Sequence, residues 1–399
     1  MLPYSSTPAK VIVIVSPFFE PNVGGVETHL SDYVKALALR NRRAVVATFQ
    51  PLVDGSAAAV CEQRGSVTIY RARWLQGNYF NAFEKSIPLQ FLYLVPACLF
   101  QALRVLVRVG HRNVEVLHGH GIAAGLVVAI LGRLFRKRSV VSIHAIYELT
   151  PGSMKANLIR LALAGNAAVL CLSDDSLREM ISIGLDPRTT DRFSYWLDTD
   201  IFRYDSLPHN REALALPTAA PMLLFVGRLI EKKGLRKVLC AMRSHPEIHL
   251  MVIGDGPDRA ALEGEAAHLA GVTFLGRKTN EETAQYYRAA DALIVPSEYA
   301  EGFGRVVAEA LCCGAYVYAS NRGGLPEAVG EDGSLFEPNE AGIDGILDDL
   351  ERNYWRYRGT RAARAAAAAG RFSERNCDAL LARLCAAAPR TARDRREAC

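Results

Sequence analysis

Two carboxylates, Glu301 and Glu309, stand in the stretch PSEYAEGFGRVVAEALCCG (Pro296–Gly314) with seven residues between them. The apolar run Ala292–Val295 precedes the stretch and reads as a buried strand, Gly302 and Gly304 fall between the acids, and a helical pattern begins at Val306. A strand, a glycine-containing turn and a helix start make an anion and ligand site at the carboxyl edge of a parallel sheet. Glu301 falls in the turn, where it can reach into a cleft, and Glu309 about two turns along the helix face. Beside a bound polyol, such carboxylates accept charge-assisted hydrogen bonds from neighbouring hydroxyls. Acids at a helix start also suit its dipole with no ligand present, and these residues alone leave both readings open.

Further candidates repeat the pattern. Gly227-Arg228 and Lys233-Gly234 follow the apolar run Met222–Val226 and precede a helix predicted over Leu235–Met242. Arginine forks onto phosphate oxygens and lysine supplies a point charge, so the pair could neutralise a diphosphate; a solvated basic loop is the other reading. In SPFFEPNVGGVE (Ser16–Glu27), Gly24 and Gly25 open a helix whose free N–H groups would attract phosphate, or they form a plain strand-to-helix turn. His118 and His120 follow the strand pattern Val114–Leu117, and His144 follows Ser139–Ile143. Three histidines at strand ends suggest a polar cleft, although a histidine there can be purely structural. No acidic partner accompanies His118 and His120, so the pattern offers no metal site.

The elements that must position these groups alternate. Strand patterns at Lys10–Ser16, Ala44–Thr48, Val67–Arg71, Val114–Leu117, Ser139–Ile143 and Ala167–Leu172 are mostly separated by helix-compatible sequence, beginning with Val26–Leu39. Such alternation implies βαβ units and a parallel sheet. SLPHNREALALPTAAP then reads as a linker, followed by a second series at Met222–Val226, Leu250–Ile253, Val272–Phe274, Ala292–Val295 and Tyr316–Ala319. The expected class is α/β, with two doubly wound, Rossmann-like domains and a ligand cleft between them. The expected divisions are 1–205, 206–370, a helix in 371–390 and a frayed tail at 391–399.

At 399 residues the chain exceeds a typical single domain. Half the residues are hydrophobic and 22% charged, as in an ordinary globular protein, and a net charge of +5 is too small to indicate nucleic acid. Nine scattered cysteines without a CxxC pair indicate free thiols in a reducing compartment. The adjacent Cys312 and Cys313 read as small core residues. No signal-peptide pattern opens the chain. Ile87–Val109 is apolar but interrupted by Pro88, Pro96, Arg104 and Arg108, and Gly121–Leu131 is too short, so both read as buried or amphipathic helices and not as membrane spans. The basic residues Arg133, Arg136, Lys137 and Arg138 could nevertheless touch anionic lipid. The expected location is cytoplasmic, with contact at the inner membrane face left open.

Together, VGRLIEKKG, LMVIGDGP, VTFLGR, ADALIVPSEYAEGFGRVVAEALCCG and NRGGLPEAVG resemble the retaining GT-B glycosyltransferases of family 4; GGVETH, LHGHG and SIHA agree more loosely. FSERNCDALLARL resembles the final helix that, in such proteins, crosses back onto the first domain. The resemblance implies donor-binding roles for Gly24, Gly25, Arg228, Lys233, Glu301, Gly302, Phe303, Gly304 and Glu309. Within these, Arg228 and Lys233 would clamp a diphosphate, Glu301 would meet sugar hydroxyls and Glu309 the ribose. His144 would stand beside the donor sugar, and His118 and His120 remain acceptor-side candidates. The family's Asn-Gly before its VDxxxF segment is replaced here by Tyr195-Trp196-Leu197-Asp198.

The implied reaction moves a sugar from a UDP- or GDP-linked donor to a hydroxyl acceptor, a polysaccharide or lipid-linked glycan intermediate, with retention and with no metal or other cofactor. Alternatives of the same architecture are a sugar-nucleotide epimerase or phosphorylase, and a catalytically silent sugar-nucleotide-binding subunit. Asp198-Thr199-Asp200 looks like a metal-holding DxD motif, but its place before the linker matches the family's VDxxxF segment.

Overall fold

The computed structural model describes residues 10–22, 24–52, 57–75, 79, 83, 86–205 and 210–386. The expected tail, 391–399, and residues 387–390 of the expected last helix lie outside them. The chain divides into two compact units, 1–194 with 375–399, and 195–374. Residues 195–205 thus belong to the second unit, where the sequence reading put them in the first.

The first unit is built on β1 (Val11–Val15), β2 (Ala44–Phe49), β3 (Cys61–Arg64), β4 (Val67–Ala72), β5 (Val114–His120), β6 (Arg138–Ile143), β7 (Ala168–Cys171) and β8 (Thr190–Arg192). They form one sheet in the order β3-β4-β2-β1-β5-β6-β7-β8, parallel except for the β3–β4 pair. Both faces are covered, which is why the central strands read as continuous β-branched runs. On one face, alternate residues Val11, Val13 and Val15 pack with the helices Ile87–Val109 and Ile122–Phe135. A second core joins Val141, Ile143, Val169 and Cys171 to the helix Met154–Leu163.

Ile87–Val109 is one helix in spite of its prolines. Pro88 sits in the first turn, where no intrahelical N–H is needed. Pro96 lies on the exposed face, so the carbonyl it leaves unpaired can reach water. By length and composition alone, Pro88–Val109 would suffice to cross a membrane; 44% of its most apolar window is buried. The helix Arg375–Cys385 also packs in this unit: Cys377, Leu380 and Leu384 are buried, Arg40 pairs with Asp378 at 2.7 Å and Arg383 with Asp191 at 3.0 Å.

The second unit carries β9 (Met222–Val226), β10 (His249–Ile253), β11 (Val272–Gly276), β12 (Ala292–Val295), β13 (Tyr316–Ser320) and β14 (Gly333–Phe336), all parallel, in the order β11-β10-β9-β12-β13-β14. Its core gathers Leu223, Phe225, Leu250 and Ile294 with the helices Leu235–Ala241 and Glu340–Gly359. At the amino edge, buried Asp291 accepts from the Met222 amide and pairs with Arg211 at 2.8 Å and Arg358 at 2.7 Å. Among the parallel strands of each sheet the order reverses direction once, between β1 and β5 and between β9 and β12. Loops leaving such switch points at the carboxyl edge are where α/β sheets bind ligands.

Candidate functional site

The β9/β12 switch brings Lys233 and Glu301 together. Lys233 closes a short 3₁₀ turn, Glu231–Lys233, and Glu301 lies in the loop after β12. Lys233 Nζ donates to Glu301 Oε1 at 2.7 Å, and the Ser297 hydroxyl donates to the same oxygen. Tyr299 lies under the ammonium, 5.4 Å from ring centroid to Nζ. Burial works against the Lys233 charge, but the charges and hydrogen bonds of Glu301 and Tyr299 outweigh it and hold the ammonium pKa above its ordinary value. Two close backbone approaches fix this geometry. A Cβ on Gly234, itself in the left-handed region, would stand 2.1 Å from the Pro296 carbonyl oxygen. Gly323, with φ of 55°, similarly lies against the Glu301 backbone, and the Gly324 amide donates to the Glu301 carbonyl at 2.7 Å. The NRGGLPEAVG segment therefore buttresses the loop that carries Glu301.

Arg228 is exposed and makes no ion pair or side-chain hydrogen bond among the described residues, which leaves its guanidinium available to an incoming anion. Gly304, in the left-handed region, opens the helix Arg305–Cys312, with Gly302 and the buried Phe303 just before it. The helix begins at Arg305, so Glu309 lies one turn in, where the sequence reading expected two. Glu309 is buried, accepting from Arg305 Nε at 2.8 Å and from the Tyr287 hydroxyl at 3.0 Å. It is thus anchored within its own helix and against its neighbour. Cys312 and Cys313 are buried thiols; burial, reinforced by Glu309, pushes Cys312 up to about 12, which makes it inert.

The β1/β5 switch of the first unit gathers Gly24, Gly25 and a histidine cluster. Gly24 caps the helix Gly25–Leu39, and Gly25 is open, with nothing near its Cα for a side chain to meet. His118 and His120 are the last turns of the pleat of β5, inside the strand and not after it, so both point to one face. Their ring centroids are 4.2 Å apart. His120 Nδ1 and His144 Nε2 are hydrogen-bonded at 2.9 Å, and His118 Nε2 bonds the Ser142 hydroxyl at 2.8 Å. His29, one turn into the first helix and fully buried, stands 5.5 Å from His144 between ring centroids. Burial holds His118 down at about 3, with His144 adding to the effect; His120 is lowered further by the three neighbouring imidazoles, after burial. His144, which keeps some solvent contact, is lowered in the same direction by burial. The cluster is therefore neutral at physiological pH. Behind His144, Glu179 accepts from the Tyr147 and Leu149 amides at 2.9 and 2.8 Å and pins the following loop.

Several of these groups were not evident in the sequence. Arg305 could have been found as the residue four before Glu309, and His29 as a histidine four past Gly25 on an apolar helix face. Ser297, Tyr299, Tyr287 and Glu179 carry no local signal. Of the DxD-like segment, Asp198 turns its carboxylate onto the Asp200 amide at 3.0 Å. Among the described residues the group of three able to converge on a metal lies elsewhere, at His245, Asp348 and Glu351.

Each unit is a doubly wound α/β sheet with polar groups at its switch point, ionic in the second unit and neutral in the first. Residues 24–196 match the Glycosyl transferase 4-like domain and residues 208–364 the Glycosyl transferases group 1. The chain belongs to this glycosyltransferase family. Over 226 residues it is 39% identical to the D-inositol 3-phosphate glycosyltransferase of Mycobacterium tuberculosis, a match covering 53% of this chain. It spans about half the length of such relatives, 46% in this case. The fold is similar to sucrose-phosphate synthase from Thermosynechococcus elongatus, with TM-score 0.77 and 22% identity over 94% of this chain and 98% of that one. It is also similar to Anabaena HepE in complex with UDP and glucose, with TM-score 0.72 and 19% identity over the same shares. These two structures establish the GT-B fold.

Proposed function

We propose that the chain transfers a sugar from a nucleotide-diphosphate donor to a hydroxyl acceptor, with retention and without a metal. The observation that carries this reading is the Lys233–Glu301 pair at the β9/β12 switch point, with exposed Arg228 on the same loop as Lys233. In the proposed reaction the bond from the anomeric carbon to the phosphate oxygen breaks and a bond from that carbon to the acceptor oxygen forms. The acceptor proton passes to the leaving diphosphate. As the bond breaks, negative charge grows on the diphosphate, and Arg228 and Lys233 are fixed cations able to stabilise it. Glu301 accepts from sugar hydroxyls while remaining paired with Lys233. The Phe303 and Gly304 backbone groups serve the sugar and phosphate, and Glu309 receives the ribose hydroxyls alongside Arg305 and Tyr287.

The neutral imidazole of His144, oriented by His120, is assigned to the donor sugar, and His118 to the acceptor side of the same cluster. An uncharged imidazole can give or take a hydrogen bond without adding a charge beside an oxocarbenium-like carbon. The UDP-bound neighbour favours a uridine nucleotide, while GDP-linked donors remain in the test; the acceptor is assigned to the glycan or lipid-linked glycan class. The experiment is a panel of UDP- and GDP-sugars scored by thermal unfolding, followed by a transfer assay. A true donor at about 100 times its dissociation constant stabilises by about 2.7 kcal/mol. Conversion of the donor without an acceptor into an isomeric nucleotide sugar, or stabilisation with no turnover by any acceptor extract, overturns the transferase reading.

A further inference from the structure

The helix Ile87–Val109 has two faces. Tyr93, Leu94, Ala97, Cys98, Ala102, Val105 and Leu106 are buried in the core of the first unit. The opposite stripe, at helical spacing, holds Leu92 (72% exposed), Pro96, Phe100 (58%), Arg104 and Val107 (81%). Among the described residues no apolar neighbour covers these side chains fully. The helix Ile122–Phe135 packs beside it and adds exposed Leu134. The two helices end together: the His111 and Phe135 rings are tilted against one another with centroids 5.3 Å apart, and Lys137 Nζ donates to the Arg112 carbonyl at 3.3 Å.

Charge decides what covers this face. Arg104, Arg108, Arg112, Arg133, Arg136 and Lys137 lie on these two helices and the segments that directly follow them, and Glu115 is the single carboxylate between Ser86 and Glu148. Arg104 lies over the Phe100 ring at 5.6 Å, a cation held above an apolar side chain as at a lipid–water boundary. At the basic end, a cavity of about 240 Å³ lined by Arg43, Arg108, Ser66, Thr68 and Tyr70 could seat an anionic headgroup. A second copy of this chain would bring the same cations against themselves. We propose that this face docks on an anionic lipid surface, with Leu92, Phe100 and Val107 inserted among the acyl chains and the arginines at headgroup level. The helix lies in the interface and does not cross it, because its inner face is packed against the sheet.

The test is co-sedimentation of the full chain with phosphatidylcholine vesicles, with and without phosphatidylglycerol. Binding is expected to the anionic vesicles at low ionic strength and to weaken as added salt screens the charges. Arg104→Gln, Arg108→Gln and Arg133→Gln should each weaken it about 5-fold. The triple variant Leu92→Ser, Phe100→Ser, Val107→Ser should abolish it while nucleotide binding stays unchanged and the melting temperature shifts little, since these side chains are mostly in water. Equal binding to neutral vesicles, no binding at low salt, or variants that bind as the parent does overturn the proposal. So does a sedimentation-velocity dimer that the Phe100→Ser change dissociates. Nucleotide-sugar binding in solution separates this proposal from the transferase reading, which it does not require.

Discussion

The two switch points use opposite electrostatics. At β9/β12 the polar groups are ions held in pairs, Lys233 with Glu301 and Arg305 with Glu309. At β1/β5 they are imidazoles kept neutral by burial and by one another. Fixed cations suit a leaving group whose charge grows during the reaction, because donors already oriented need no reorganisation. Neutral, desolvated donors and acceptors suit hydroxyls and a carbon that becomes positive. The comparison teaches that similar strand-to-helix loops, in similar sheets, acquire distinct chemistry from whether each buried polar group has a counter-ion within reach.

The ionic character of the second unit extends to its amino edge, and the largest effect is expected there. Asp291→Ala removes the counter-ion of Arg211 and Arg358 and should cost about 3–5 kcal/mol of stability, read by urea unfolding. A loss under about 1 kcal/mol would show that the carbonyls around these arginines suffice, and would weaken the contrast.

Next come the cations of the site. Arg228→Ala and Lys233→Ala should each remove about 2–4 kcal/mol of transition-state stabilisation, seen in kcat/KM, while transfer persists in the presence of a chelator. Rates that collapse with chelator and return with magnesium or manganese would reverse the assignment.

The acids sharpen the comparison within one loop and helix. Glu309→Ala should cost about 1.5–3 kcal/mol of nucleotide affinity by calorimetry, through the lost charged hydrogen bonds. Glu301→Ala should spare free nucleotide binding more and depress transfer. Unaltered binding and transfer in both variants would remove the assignment.

The neutral cluster should answer to acid. Unfolded histidine protonates near 6.5, whereas folded His118 does so at about 3. The unfolded chain therefore binds more protons in this window. The stability held by the neutral cluster is complete above about pH 6.5 and is lost as pH falls towards 3, by up to about 1.4 kcal/mol per pH unit per histidine. Denaturant midpoints measured across this range should show a shallower slope in His118→Gln. An unchanged slope would mean that the imidazoles accept protons in the fold without penalty.

The smallest effect is expected at Asp198→Asn and Asp200→Asn, within about 0.5 kcal/mol in stability and with little change in transfer rate. A large loss in both would return the DxD-like segment to consideration.

Much of this was legible in the sequence because covered parallel strands must be continuously apolar and because loops at switch points need glycines. The two sheets, Arg228, Lys233, Glu301 and Glu309 could be placed from those signals. β3, β8 and β14 were not, since short strands of mixed polarity such as CEQR carry no pattern that distinguishes them from loops. The prolines of Ile87–Val109 read as interruptions, because sequence does not say that Pro96 would face water.

What the sequence determined by itself was the alternation of elements and the residue types at each strand end, both set by local periodicity and turn chemistry. Tertiary structure alone decided which of those residues are partners. Lys233 meets Glu301 across 68 positions and His120 meets His144 across 24. Those distances are closed by strand order, and strand order depends on how whole layers pack, which no local pattern records. The protonation states follow from the same packing, because a charge is retained in the interior where a counter-ion arrives with it and is suppressed where only other imidazoles do.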